Sequence, residues 1–173
     1  MTNETLGILI LENRDQFYRI ARSVLRNDSD AADAISESVV KAFSKIGSLS
    51  DEDHAKTWFI RIMINECYQL VRQSAKVFPV EDVQGTEPSE EDDQDYSDLY
   101  DAVDHLPPDE QLAISLFYVE GYRISEIAAM CGIPENTVKS RLKRAREKLN
   151  RYLTDIQPDE KADRKAERSP LRI

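Results

Sequence analysis

Residues Tyr122–Tyr152 have the sequence YRISEIAAMCGIPENTVKSRLKRAREKLNRY, which predicts a short helix, a tight turn and a longer basic helix. We expect the turn at Cys131-Gly132-Ile133, because Gly132 can adopt the positive φ that ends a helix. Pro134 suits the first turn of the second helix, where its missing N–H costs nothing. The second helix carries one apolar stripe at helical spacing, formed by Val138, Leu142, Ala145 and Leu149.

The rest of this second helix is strongly cationic. Between residues 139 and 151 there is one acid, Glu147, among the cations Lys139, Arg141, Lys143, Arg144, Arg146, Lys148 and Arg151. Such a helix is either a solvated surface helix or the second helix of a helix-turn-helix, which lies in the DNA major groove. A solvated helix requires neither a small-residue turn before it nor a depletion of acids, so the sequence favours the helix-turn-helix.

The acidity of the chain is local. The 173 residues carry a net charge of −10, but residues 79–104 contain eleven acids and no Lys or Arg, which leaves +1 for the rest. Local charge governs contact with nucleic acid, so the overall acidity does not exclude DNA binding. Residues 79–94 are also polar and aperiodic, and they predict a disordered, self-repelling linker between two helical units.

Several classes of protein are disfavoured by the sequence. It has no apolar run long enough to span a membrane, and its N-terminus, MTNETLG, lacks the basic start of a signal peptide. Cys67 and Cys131 are isolated, which predicts free thiols in a reducing cytoplasm. The histidines are His54 and His105, and there is no phosphate-binding loop or catalytic set, so we expect no metal, no cofactor and no enzymatic activity.

The N-terminal half predicts three amphipathic helices, at about Thr2–Leu25, Ala31–Ile46 and Glu52–Ser74. Ser50 and Asp53 have the spacing of a capping box before the third. The buried stripe of the second helix is expected at Ile35, Val39, Ala42, Phe43 and Ile46. Its opposite side carries Asp33, Glu37, Val40 and Lys41. An exposed valine among charges indicates a protein partner, unless the face is simply solvated.

The third helix combines a broad apolar arc with a polar stripe. The polar stripe has the spacing i, i+4, i+7, i+8 and i+11 and consists of Arg61, Asn65, Tyr68, Gln69 and Arg72. Cations, amides and an aromatic ring suit contact with base edges and phosphates, although a hydrated helix face has the same composition. Trp58 lies at the start of the stripe, and we interpret it as packing on the first helix rather than stacking on a base.

Helical character resumes after the linker. One helix begins near Tyr96 and is stopped by Pro107-Pro108, and the next begins at Asp109 or Glu110 and ends at Gly121. The sequence therefore predicts an all-α fold with two small helical domains joined by a flexible acidic linker. The expected boundaries are 1–76 and 98–154 for the domains, 77–97 for the linker and 155–173 for a mobile, charged tail.

Four segments resemble the extracytoplasmic-function (ECF) subfamily of bacterial RNA polymerase sigma factors, which is part of the sigma-70 family. ENTVKSRLKRAREKL resembles the recognition helix of region 4, and LPPDEQLAISLFYVEGYRISEIAAMCGIP resembles the helices before it. DSDAADAISESVVKAFSKI and KTWFIRIMINECYQLVRQ resemble region 2. The resemblance covers about residues 6–76 and 98–152, in the family's order, and the two blocks together are more specific than the helix-turn-helix alone.

The resemblance implies a protein that binds core RNA polymerase, directs it to promoters and helps to open the DNA. The basic helix would read the −35 element through Asn136, Thr137, Lys139, Ser140, Arg141, Lys143 and Arg144. Arg141, Arg146 and Lys148 are better placed for phosphates or for contacts within region 4. The polar stripe of the third helix, together with the loop at residues 47–53, would meet the −10 element, and Asn65 matches an asparagine of the family.

The resemblance also implies protein partners. The face with Asp33, Glu37 and Val40 would dock on the clamp helices of the polymerase β′ subunit, and the second unit would touch the β flap. An anti-sigma factor that clamps both domains is common in the family. Gln69 stands where many relatives carry Asp, so we expect the −10 preference to differ. Asn136 stands where relatives often have Gly, and its side chain could itself reach a base.

Two other functions stay open at this point. A stand-alone helix-turn-helix regulator, with a helical domain for dimerisation or sensing, explains residues 109–152 equally well, but it does not explain the acidic helix face or the polar stripe. An interaction protein whose basic helix binds an acidic partner would show no salt-dependent affinity for DNA.

Overall fold

The computed structural model describes residues 1–77 and 97–156, which form α-helices and short helical turns with no strand among them. The predicted all-α fold, with a helical unit on each side of the linker, is therefore confirmed. Residues 3–77 form the N-terminal unit and residues 97–156 form the C-terminal unit. Most of the predicted linker and tail lie outside the described residues.

The first predicted helix is in fact two helices. α1 spans Asn3–Glu12 and α2 spans Arg14–Leu25. Asn13 separates them, because its backbone N–H and its side-chain amide both donate to the carbonyl of Leu9, at 3.3 and 2.8 Å, and close α1. α2 ends at Arg26, whose φ of 59° is the only positive φ of a non-glycine residue in the described part of the chain.

α3 spans Asp28–Lys45 and begins before the predicted start. Asn27 caps it, since the side-chain Oδ1 accepts the N–H of Asp30 at 2.7 Å. The fully buried face consists of the small side chains Ala31, Ala34, Ser38 and Ala42. Of the predicted stripe only Ala42 is fully buried, and the larger members pack at its edges. Small side chains on this face let α3 approach α2 and α4 closely.

Three helical segments complete the N-terminal unit: the short turns Ile46–Ser48 and Glu52–His54, and α4 at Ala55–Val77. The predicted capping box of Ser50 and Asp53 is wrong, because the side chain that accepts the Asp53 N–H belongs to Asp51. The predicted broad apolar arc of α4 is confirmed, with Phe59, Ile60, Met63, Ile64 and Cys67 buried. α4 packs on α2 and α3.

The segments of the C-terminal unit are α5 (Ser97–Asp104), α6 (Pro108–Ile114), a π-helical turn (Ser115–Val119), α7 (Ile124–Cys131) and α8 (Glu135–Ile156). α7 and α8 form the predicted helix-turn-helix. Gly132 ends α7 with a φ of 66°, as predicted. Pro134 lies one residue before α8, rather than in its first turn, and its carbonyl accepts the N–H groups of Thr137 and Val138.

The predicted apolar stripe of α8 is confirmed. Val138, Leu142 and Ala145 are buried, and Leu149 packs against the same hydrophobic cluster. This stripe faces α5, α6 and α7. The other positions of α8 between residues 135 and 147 are exposed, except for the half-buried Thr137 and Arg141. The hydrophobic cluster continues into the N-terminal unit, where α2 contacts α6 and α4 contacts α7.

Candidate nucleic-acid and polymerase interfaces

The first three turns of α8 present a polar face to solvent. Five of the predicted −35 contacts are exposed there: Asn136, Lys139, Ser140, Lys143 and Arg144. Thr137 is half-buried beside them. The Lys143 side chain is 74% exposed, and its ion pair within the described residues is a 4.0 Å contact with Glu147, one turn further along. The helix thus gathers these polar groups on one face and leaves them open.

Two acids at the start of α6 hold the next cations of α8. Arg141 Nε lies 3.2 Å from Asp109 Oδ2. Arg144 Nε and Lys148 Nζ lie 3.6 and 2.9 Å from the carboxylate of Glu110, whose side chain is only 5% exposed. Because a buried charge is stable only when it is paired, this cluster fixes α8 against α6. Arg141 and Arg144 therefore have a structural contact in addition to their predicted role at the −35 element.

The polar stripe of α4 is not a single surface. Arg61, Asn65 and Arg72 are exposed, as predicted for a face that meets DNA. Tyr68 is half-buried, and Gln69 is exposed at a groove between α3 and α4. The stripe therefore divides into three exposed side chains, one half-buried ring and one side chain that lines the groove.

Tyr68 lies where α4 meets the C-terminal unit. Burial raises the pKa of its phenol to about 12, although the Arg141 guanidinium beside it acts in the opposite direction. The hydroxyl makes no well-formed hydrogen bond to any residue that the structure describes. Cys131 lies in the same region as a free thiol, and burial raises its pKa to about 11. Both groups are therefore neutral at ordinary pH.

A pocket of about 410 Å³ lies between the loop before α4, the first turns of α4, and α7. Its walls come from both units and include Trp58, Arg61, Ala129 and Met130. The tryptophan is partly buried against the hydrophobic cluster, and its predicted contact with the first helix stays a prediction. In the loop, His54 Nδ1 lies 2.8 Å from Asp51 Oδ2, and this hydrogen bond lowers the pKa of the Asp51 carboxyl. We name this cavity the loop pocket.

An acidic groove of about 460 Å³ lies between α3 and α4. Its lining includes Asp33, Glu37, Val40, Lys41, Glu66 and Gln69. Val40 is 64% exposed. Lys41 Nζ lies 2.5 Å from Glu66 Oε2 and 3.6 Å from Glu37 Oε1, and the hydrogen bond to Glu66 raises the pKa of Lys41. The three predicted polymerase contacts therefore share one groove, in which acids neutralise the lysine.

Three acids that organise these surfaces were not identified from the sequence as functional residues. Asp109 and Glu110 hold cations of α8, and Glu120 forms an ion pair with Arg19 of the other unit at 2.8 Å. The partner lies 38 residues away for the Glu110–Lys148 pair and 101 residues away for the Glu120–Arg19 pair, so no helical periodicity connects them. The sequence did show two acids at the start of α6. Acids are favoured at that position of any helix because of the helix dipole, so they did not indicate a contact with α8.

Within residues 1–77 and 97–156, no group of acids, histidines or cysteines is arranged to hold a metal ion. No helix in these two ranges is both long enough and apolar enough to cross a membrane.

Two family models match the chain. The model described as Sigma-70 region 2 matches residues 9–77, and the model described as Sigma-70, region 4 matches residues 96–149. The two matched segments correspond to the two helical units and together cover more than half of the chain.

Known sigma factors are similar along most of the chain. The RNA polymerase sigma factor SigV of Bacillus subtilis is 32% identical over 155 residues, which are 88% of this chain and 93% of SigV. The ECF RNA polymerase sigma factor SigM of Mycobacterium tuberculosis is 31% identical over 147 residues, which are 84% of this chain and 75% of SigM.

The fold is similar to that of a solved sigma factor. RpoE of Bartonella quintana, solved in complex with the anti-sigma factor NepR, has a TM-score of 0.73 and 26% identity, covering 87% of this chain and 98% of RpoE. The two matched regions, the similar sequences and the similar fold all indicate the same family. This chain belongs to the extracytoplasmic-function subfamily of the sigma-70 family of RNA polymerase sigma factors.

Proposed function

We propose that this sigma factor, which directs promoter-specific transcription initiation, divides its work among three surfaces. The exposed turns of α8 read the −35 element, the exposed side of α4 with the loop pocket reads the −10 element, and the acidic groove binds core RNA polymerase. In this proposal the chain works in the cytoplasm and catalyses no reaction itself, because the chemistry belongs to the polymerase.

The exposed first turns of α8 are the observation that carries the proposal. An α-helix fits the major groove of B-DNA, and in a helix-turn-helix the N-terminal residues of the second helix contact base edges. Asn136 suits adenine, and Lys139 or Lys143 suits guanine, because their donors and acceptors match those bases. Arg141 and Arg144, held by acids of α6, suit the phosphates beside the bases that are read.

At the −10 element the proposed mechanism is the capture of an unstacked base from the opened strand. Arg61, Asn65 and Arg72 supply exposed donors and acceptors along α4, and the loop pocket lies directly beside Arg61. Gln69 borders the same helix face, and Tyr68 joins it once its ring is uncovered. Holding a base outside the stack offsets part of the cost of unpairing it.

The acidic groove is the proposed docking site for the clamp helices of the polymerase β′ subunit. Its exposed Val40 lies among the carboxylates of Asp33 and Glu37, and an apolar contact with a charged rim is the usual composition of a protein interface. The C-terminal unit would touch the β flap. The likeness to RpoE, solved with NepR, supports a further partner, an anti-sigma factor that covers surfaces of both units.

Transcription in vitro tests the proposed function. Core RNA polymerase, with and without this protein, is given fragmented genomic DNA, and the 5′ ends of the RNAs are mapped. New start sites that share two upstream elements at a fixed spacing support the proposal. If no new starts form while the chain still binds DNA, a stand-alone regulator is the better description.

Lys143→Ala separates base reading from phosphate binding. We expect the discrimination at one −35 position to fall by about 1–3 kcal/mol while the salt dependence of DNA affinity stays nearly constant. Arg151→Ala is the matched control, because it removes an exposed cation from the far end of the same helix. If Lys143→Ala instead weakens all sequences alike and lowers the salt slope by about one unit, Lys143 contacts the backbone.

A further inference from the structure

α1 is apolar on more sides than the one that it buries. It contains five large aliphatic side chains and neither Lys nor Arg. Leu6 is fully buried, and Leu9 and Ile10 pack against the hydrophobic cluster. The other two, Ile8 and Leu11, are 50% and 71% exposed. A helix that is apolar all round is normally buried, but the described residues leave one side of α1 uncovered.

The exposed side of α1 meets α3 at Phe43. A Cβ atom on Gly7 would lie 3.9 Å from Phe43 Cζ, and α1 packs on α3. Leu11 lies one turn after Gly7, and helical side chains tilt toward the N-terminus, so Leu11 covers the surface of Gly7 beside the phenyl ring. Ile8 lies three residues before Leu11 and extends the same side of the helix. The exposed Leu11 and the half-buried Phe43 therefore form a continuous apolar surface.

Val40 continues this apolar surface into the acidic groove. It lies three residues before Phe43 on α3, it is exposed, and it also lines the groove. We name the side chains of Ile8, Leu11, Val40 and Phe43 the α1–α3 strip. The strip and the proposed polymerase site thus share one residue and adjoin each other.

Acids surround the α1–α3 strip. Glu4 and Glu12 lie one turn before and one turn after Ile8 on α1, and both are exposed. On α3, the exposed Asp33 and Glu37 line the adjoining groove. An apolar contact with an acidic rim is complementary to a protein segment whose apolar side chains are flanked by Lys or Arg.

Two arguments decide which molecule covers the strip. A two-fold interface pairs a surface with itself, so a second copy of this chain would bring its own acidic rim against the first. Core RNA polymerase, by contrast, docks on the adjoining groove in the proposed function and reaches the strip in the same encounter. Most of α1 also precedes residues 9–77, the segment that matches Sigma-70 region 2, so the match does not account for these exposed side chains.

We propose that the polymerase interface extends from the acidic groove across the α1–α3 strip, where Ile8 and Leu11 bind an apolar segment of core RNA polymerase that is flanked by basic side chains. The inference rests on the proposed function, because that function assigns the groove to the polymerase. It adds an apolar part to the interface, and α1 supplies most of that part.

Binding of the full chain to immobilised core RNA polymerase, followed by biolayer interferometry, tests the extension. Leu11→Ala should raise the Kd about five- to twentyfold, mainly through faster dissociation, because the interface loses a buried apolar contact. Leu99→Ala is the matched control, since it truncates an exposed leucine on α5 in the other unit, and it should change the Kd by less than about twofold. Circular dichroism checks that the helices persist in both variants.

A double variant, Glu4→Gln with Glu12→Gln, tests the acidic rim. It should slow association with the polymerase about two- to fivefold at low salt and reduce the salt dependence of the association rate. Glu135→Gln with Glu147→Gln is the charge-matched control, because it removes two exposed acids from α8. This control should associate nearly as fast as the native chain. Faster association of the α1 variant would overturn the assignment of a basic partner.

An unchanged Kd for Leu11→Ala with the helices intact overturns the extension, and so does an equal loss in Leu99→Ala. Sedimentation velocity tests the other occupant: dimerisation of the native chain that Leu11→Ala abolishes would assign the strip to a second copy and overturn the proposal. Val40→Ala tests the groove itself. Weaker binding in Val40→Ala alone keeps the proposed function and removes the extension, whereas an unchanged Kd in Val40→Ala overturns the assignment of the groove to the polymerase.

Discussion

The two surfaces that we assign to DNA are built in different ways. On α8, acids of α6 hold Arg141, Arg144 and Lys148, so the helix is fixed before it meets DNA. On α4, Arg61 and Arg72 are exposed, and neither forms an ion pair with a residue in the described ranges. One surface is therefore pre-arranged by ion pairs with α6, which include the buried Glu110, and the other consists of separate, exposed side chains.

This difference fits the two forms of DNA that a sigma factor meets. An intact duplex presents a fixed pattern of donors and acceptors in its major groove, so a rigid helix loses little entropy when it binds. A strand that is unpaired only during opening has no fixed shape beforehand, and it is bound by stacking and by adjustable contacts. The comparison predicts that losses of stability and of recognition coincide at the α8 positions that pack on α6 or pair with its acids, and that they separate on α4.

Leu142→Ala should have the largest effect on stability, because it removes buried apolar contacts of α8. The side chain is 2% exposed, and its truncation should lower the free energy of unfolding by about 2–5 kcal/mol. Urea unfolding followed by circular dichroism measures this change. Lys139→Ala, exposed on the same helix, is the control and should stay within about 0.5 kcal/mol. Normal stability with lost −35 binding would contradict the idea that a packed scaffold holds the reading helix.

Glu110→Gln should have the next largest effect. It keeps the shape of a buried side chain but removes the charge that pairs with Arg144 and Lys148. We expect a loss of about 1–3 kcal/mol in unfolding free energy, together with weaker sequence discrimination by the less firmly held helix. Glu147→Gln, which removes an exposed carboxylate 4.0 Å from Lys143, is the matched control and should cost less than about 0.5 kcal/mol. Equal losses in both variants would show that the buried Glu110 stabilises α8 no more than the exposed Glu147 does.

Local patterns predicted the parts of the fold that depend on nearby residues. The stripe of α8 and the turn at Gly132 follow from spacing and from the need for a positive φ, and both are present. The break at Asn13 was missed because neither proline nor glycine marks it. The buried face of α3 was assigned to large residues, whereas close packing against two helices favours its alanines.

The candidate site was less predictable, because it depends on contacts between distant parts of the chain. Spacing placed Tyr68 and Gln69 on one stripe with Asn65, but it could not show that α7 and α8 cover the first or that α3 forms a groove beside the second. The contact between Arg19 and Glu120 spans 101 residues. Charge patterns identify the groups that need partners, but the tertiary structure determines which partners they contact.

Asn65→Ala should have a moderate effect that is confined to recognition. Since the side chain is exposed, stability should change little, but loss of one contact to the opened strand should reduce open-complex formation about three- to tenfold. Permanganate reactivity of unpaired thymines measures the opening. Ser44→Ala, exposed on α3 and outside the three surfaces, is the control. If Asn65→Ala and Arg72→Ala both open promoters normally, α4 does not hold the opened strand.

The smallest effect is expected at Asp51, in the loop before α4. The hydrogen bond with His54 and the N–H of Asp53 at 3.0 Å lower the pKa of this carboxyl. Because the folded pKa lies below the unfolded value of about 3.9, the stabilisation is fully present above that pH and is lost as the pH falls through the folded value. NMR titration should give a lower Asp51 pKa in the native chain than in His54→Ala. Equal pKa values would show that His54 does not form this hydrogen bond with Asp51. A change limited to this loop would sharpen the comparison, since an exposed pair orders only a loop, whereas the buried Glu110 fixes a whole helix.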